Sequence, residues 1–93
     1  MVTLDHRVQP HPEVVDTELA GQEIMLLHLG SRTYYSLNLT GARVWQGLKQ
    51  GLTLTDISYH LQEEFDVEAD RADCSVLALV NELWRYGLVK GQS

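Results

Sequence analysis

The chain has 93 residues, 44% hydrophobic and 22% charged, the balance of a single globular domain with too little chain to enclose a deep active-site cavity and its supporting layers. A formal net charge of −6 argues against nucleic acid as a partner, because phosphate binding rests on clustered Lys and Arg. No apolar run approaches the roughly 20 residues of a membrane helix, and Asp5, His6 and Arg7 near the start do not make a signal peptide, so no membrane role and a cytoplasmic location are expected.

Residues 1–12 read as a flexible lead-in, with Pro10 and Pro12 imposing extended geometry, ahead of one domain over 13–90. Val14 to Leu19 reads as an outer strand, with Pro12 before it and Asp16 and Glu18 on it to resist unwanted pairing. A turn at Ala20-Gly21-Gln22 returns the chain into Ile24 to Leu29, whose alternate residues are apolar on both sides. That is the pattern of a central strand covered on both faces. Gly30-Ser31 joins it to Thr33 to Leu37, Gly supplying the positive φ of a tight turn. This last strand favours extended structure but has only Arg32 to guard it, so its far edge is open to a strand from another molecule.

Beyond Leu37 the apolar period lengthens from two to about three and a half. Asn38 or Thr40 can cap a first helix carrying Val44, Trp45 and Leu48, with Trp45 as a core anchor, and Gln50-Gly51 ends it. Thr53 and Asp56 approximate a capping box for a second helix with Ile57, Leu61 and Phe65 as its buried stripe and Leu52 stapled to Ile57. Asp70 can cap a third helix from about Arg71 to Tyr86. Val76, Leu77, Val80, Leu83 and Trp84 form its central band, and Leu79 and Tyr86 widen the apolar arc to roughly 200° at about 100° per residue. So wide an arc calls for a partner beyond the domain's own core. Gly87 stops the helix, and Leu88 and Val89 tuck back onto the core.

No catalytic constellation emerges. His6, His11, His28 and His60 lie on separate elements without metal-ligand spacing, so neither a metal nor a cofactor is expected. The acidic run from Glu63 to Asp73 lacks the order of a calcium loop. Cys74, the one cysteine, has no internal partner and reads as a buried, inert thiol. The chain reads as a binding module rather than an enzyme.

The succession Glu23-Ile24-Met25-Leu26-Leu27, Gly30-Ser31-Arg32-Thr33-Tyr34-Tyr35-Ser36-Leu37-Asn38 and Gly41-Ala42-Arg43-Val44-Trp45, continued through Gly51-Leu52-Thr53 and Gly87-Leu88-Val89, resembles the PqqD family of RiPP recognition elements. The resemblance implies an α+β, winged-helix-like fold, a three-stranded antiparallel sheet followed by three helices. It also implies a function: binding the leader segment of a ribosomally made precursor and delivering it to a maturation enzyme. The leader would add as a strand beside Thr33, Tyr34, Tyr35, Ser36 and Leu37, against Val76, Leu79, Val80 and Leu83 of the third helix. The sequence lacks the Tyr-Pro-Glu-like turn and the C-terminal Gly-Trp of the pyrroloquinoline quinone branch, having His28-Leu29-Gly30 and Gly87-Leu88 instead. It is therefore more similar to the stand-alone proteins of lasso peptide pathways, whose partner is a leader peptidase rather than a radical SAM enzyme. Two other readings fit the same elements: a winged-helix DNA-binding protein, disfavoured by Asp70 and Asp73 at the head of the third helix, and a module that homodimerises through its open strand.

Overall fold

A computed structural model of the chain describes residues 7–91. In order these form β1 (Val8–Pro10), β2 (Val14–Glu18), a short 3-10 turn (Ala20–Gln22), β3 (Ile24–His28), β4 (Thr33–Leu37), α1 (Leu39–Lys49), α2 (Leu54–Phe65), α3 (Ala69–Arg85) and β5 (Val89–Gly91). The antiparallel sheet β2-β3-β4 followed by three helices is the expected α+β arrangement. Residues 1–6, with His6, lie outside the described residues.

The lead-in is not loose over its described part. β1 pairs antiparallel with β5, setting Val8 against Gly91 and Pro10 against Val89, and His11 N–H donates to Leu88 O at 3.0 Å. Val8, Leu88 and Val89 are buried together, so β1 and β5 are stapled by apolar burial as well as by main-chain bonds.

The sheet alternates as strands should. Ile24, Leu26, His28 and Leu37 turn inward and are buried with Trp45, Leu48, Leu54, Val76, Val80 and Leu83. The other face corrects an expectation: β3 is not covered on both sides. Val15, Leu19, Leu29 and Tyr34 are exposed there, because all three helices pack on the inner face.

Local chemistry sets the helix ends. Asn38 Oδ1 accepts from Gly41 N–H at 2.9 Å and Thr53 Oγ1 from Asp56 N–H at 3.1 Å, each satisfying an otherwise orphaned donor. α3 starts earlier than Asp70 predicts: Glu68 is its first flanking residue, with no side-chain cap bond. At its other end Gly87 takes a φ of 73°, and Leu88 N–H reaches back to Leu83 O at 2.9 Å, the closure typical of a glycine-terminated helix. In the β3-β4 hairpin the positive φ falls on Arg32 (58°) rather than on Gly30. A Cβ on Gly30 would lie 2.6 Å from Glu13 Oε2, the free end of an exposed side chain that can move aside, and 3.0 Å from His28 Cε1.

Candidate functional site

Two backbone bonds fix the direction of every polar group in the sheet. Leu19 N–H donates to Glu23 O at 2.7 Å and Leu29 N–H to Glu13 O at 2.9 Å. In the β2-β3 register, antiparallel alternation then turns the backbone groups of Met25 and Leu27 toward β2 and those of Ile24, Leu26 and His28 toward β4. Their β4 partners are Leu37, Tyr35 and Thr33. The N–H and C=O of Tyr34 and Ser36 therefore point out of the sheet, along an edge that no strand among the described residues occupies.

β2 also has a free edge, but a blunted one. Pro12 precedes it, and the outward Val14 N–H is taken by His11 O at 3.0 Å. Asp16 does not guard that edge as expected: its side chain turns inward, accepting from Trp45 Nε1 at 2.7 Å and pairing with Lys49 Nζ at 2.7 Å.

A cleft of about 510 Å³ runs beside β4, between it, the start of α1 and α3. Tyr35, Ser36 and Leu37 form one side; Ser75, Ala78, Leu79 and Glu82 form the other. A smaller hollow of about 200 Å³ between α1 and α2 lies away from β4, and its size suits a side chain rather than an extended segment.

The expected site residues separate on this geometry. Tyr35, Ser36, Leu37 and Leu79 line the cleft. Tyr34 contributes outward backbone, while its side chain is 66% exposed on the opposite sheet face. Thr33 sits at the hairpin end, its Oγ1 2.8 Å from Ser31 Oγ. Val76, Val80 and Leu83 are corrected to core residues: each is 0% exposed and offers no surface to the cleft. The buried stripe is Ala72-Val76-Val80-Leu83, so α3 is rotated from the expected band, leaving Trp84 and Tyr86 half exposed. Cys74, two residues from both Ala72 and Val76 and hence about 200° around the helix, is exposed rather than buried. Ser75, Ala78 and Glu82 were missed, although Ser75 lies four residues before Leu79, Glu82 three after it, and Ala78 three after Ser75 and four before Glu82.

At the Tyr35 end the cleft has a polar anchor. Burial first, and then the hydrogen bond to Glu82 and the charge of that carboxylate, push the Tyr35 pKa up to about 12. The phenol stays protonated and donates to Glu82 at neutral pH. The Tyr86 ring, centred 5.8 Å from that of Tyr35, closes this end.

The structure also gathers His11, Glu13 and His28, each with a potential ligand atom within 4.8 Å of the others. Their chemistry does not fit a metal. His28 Nδ1 accepts from Gly30 N–H at 3.1 Å and Ser31 N–H at 3.2 Å, and His11 Nδ1 accepts from Glu13 N–H at 3.1 Å. Each neutral ring must then carry its proton on Nε2, leaving no free lone pair there for an ion. Among the described residues no helix is long and apolar enough to cross a membrane.

The family model described as coenzyme PQQ synthesis protein D (PqqD) matches residues 23–89. Two solved structures share the fold. One is TbiB1 in complex with the TbiA(beta) leader peptide, at 25% identity and a TM-score of 0.84, covering 91% of this chain and 98% of that one. The other is a lasso peptide synthetase B1 complexed with its leader peptide, at 28% identity and a TM-score of 0.82, covering 90% and 98%. No curated protein matches the sequence.

Proposed function

This chain belongs to the PqqD family, and we propose that it carries a precursor peptide by its leader. The leader adds as a fourth strand to the free edge of β4, in the cleft against α3, and the loaded protein presents the precursor to a separate maturation enzyme. The observation that carries this reading is the conjunction of the outward Tyr34 and Ser36 backbone with the cleft alongside. Main-chain pairing supplies affinity that tolerates sequence, and the α3 wall selects among leaders. The two similar solved structures each hold a leader peptide, which supports the same ligand class here.

The lasso peptide context of the second of them favours a leader peptidase over a radical SAM enzyme as the recipient. The uncovered sheet face suits that transfer. Val15, Leu27 and Tyr34 form a row across it, and a leader strand beside β4 would extend the same face. An enzyme docking there would meet carrier and leader together. The chain itself performs no catalytic step in this reading, and it works in the cytoplasm, where ribosomal precursors are made. Self-pairing of two β4 edges into a homodimer would use the same main-chain groups, so leader and second copy compete.

The test is titration of isotope-labelled protein with synthetic leaders of candidate precursor peptides, followed by backbone amide shifts. Saturating shifts at Tyr34, Ser36 and the cleft side of α3 are expected with one leader. Amides that stay unmoved with every leader would end the leader-binding reading.

A further inference from the structure

Charge is unevenly distributed along the cleft. Of the side chains lining it, Glu82 alone bears a carboxylate, and none bears a basic group. It stands at the Tyr35 end, whereas Ser75 and Thr40, which share a second hollow, mark the other. Its partner is the neutral Tyr35 phenol. Arg85 lines an adjoining hollow with Glu82 but forms no ion pair with it. Between the two ends the walls are apolar, with Leu79, Ala78, Val44 and Leu37. A cleft that is apolar in the middle and carries one uncompensated carboxylate at the end complements an extended segment with an apolar and a basic side chain.

We propose that Glu82 is a specificity-determining residue that selects leaders carrying a Lys or Arg two positions from the apolar residue seated beside Leu79. The inference rests on the leader-binding reading above. The spacing follows from geometry: Leu79 to Glu82 advances about 4.5 Å along α3, and same-side residues of a strand are about 6.7 Å apart. The next same-side residue of the bound strand therefore reaches Glu82 when it has a long cationic side chain. The Tyr35 hydroxyl holds the carboxylate in place without neutralising it. Because Glu82 is exposed, the pair acts mainly by discrimination: a neutral residue at that position is tolerated and an acidic one is repelled.

The probe is a displayed library of random dodecapeptides, selected in parallel against the wild-type protein, Glu82→Gln and Glu82→Lys, with circular dichroism to verify folding. Wild type is expected to enrich an apolar residue and a Lys or Arg two positions apart. Glu82→Lys is expected to keep the apolar residue and enrich Asp or Glu in place of the base, and Glu82→Gln to lose the charge preference. A synthetic wild-type winner should bind Glu82→Lys roughly tenfold more weakly at low salt, with the gap closing at high salt. If winners shift the Tyr34 and Ser36 amides but show the same residues for all three proteins, Glu82 does not select and leader binding stands. If no winner shifts those amides, the leader-binding reading fails and this inference fails with it.

Discussion

Asp16 lies on an edge strand, yet its carboxylate works inside the molecule, accepting from the indole of the buried Trp45 and pairing with Lys49. Burial raises its pKa, but the hydrogen bonds from Lys49 and Trp45 and the Lys49 charge outweigh that, and the net shift is downward from 3.8. A carboxylate with a depressed folded pKa stabilises the fold above its unfolded pKa, and that contribution is lost as pH falls through the lower folded value. Asp16→Ala leaves the Trp45 N–H without its partner and is expected to cost roughly 1–3 kcal/mol at pH 7. Asp16→Asn keeps an acceptor and is expected to cost less. Urea unfolding at pH 7 and again below pH 3.8 checks the sign: the gap between wild type and Asp16→Asn should narrow in acid. A constant gap would show that the charge contributes nothing.

The β4 strand separates two kinds of backbone donor within adjacent residues. Ser36 N–H points out of the edge and Tyr35 N–H into the ladder with Leu26. Ser36→Pro is therefore expected to weaken leader binding roughly tenfold or more while leaving a cooperative fold, whereas Tyr35→Pro should lose stability outright. Thermal unfolding beside peptide binding distinguishes them, and equal loss of fold in both would contradict the register. Between helices the constraint is steric. A Cβ on Gly47 of α1 would lie 2.7 Å from Ile57 Cγ1 of α2, so Gly47→Ala should lower stability by roughly 1–3 kcal/mol despite its better helix propensity, read as a lower melting temperature. The cores of β2 to β4 and of the three helices were legible because period and caps are local: Asn38, Thr53, Gly51 and Gly87 act within a turn of their own positions. The rotation of α3 was not, since several stripes fit its wide apolar arc and packing on α2 and β5 chose Val76 and Val80 for the core. That is why Leu79 was found as a cleft residue and Glu82 was not.

For the whole molecule the deciding fact is that every helix packs on one face of the sheet. Sequence could not show this, because β3 is apolar on both sides whether its second face is covered by its own chain or by another. The pairing of β1 with β5 was equally hidden: two three-residue strands some eighty residues apart in sequence have no local signal of partnership. The uncovered face adds nothing to the cleft, and in the proposed delivery step its exposed Val15, Leu19, Leu29 and Tyr34 are the surface that the maturation enzyme covers. Val15→Lys lies on β2, separated from the proposed leader by β3 and β4, and Leu27→Glu lies at the centre of the row. Val15→Lys is expected to leave leader affinity within about twofold, because β3 separates it from β4 and it is not on α3; Leu27→Glu faces Tyr34 across the ladder, so its processing is compared at equal leader occupancy. Both are expected to raise the carrier concentration needed for half-maximal processing of the full precursor by the maturation enzyme roughly tenfold, as removal of an apolar anchor from an interface does. Leader affinity by fluorescence anisotropy, set beside processing rates at increasing carrier concentration, separates the two surfaces. Processing unchanged in both variants would remove the sheet face from the delivery step and leave it as bare surface.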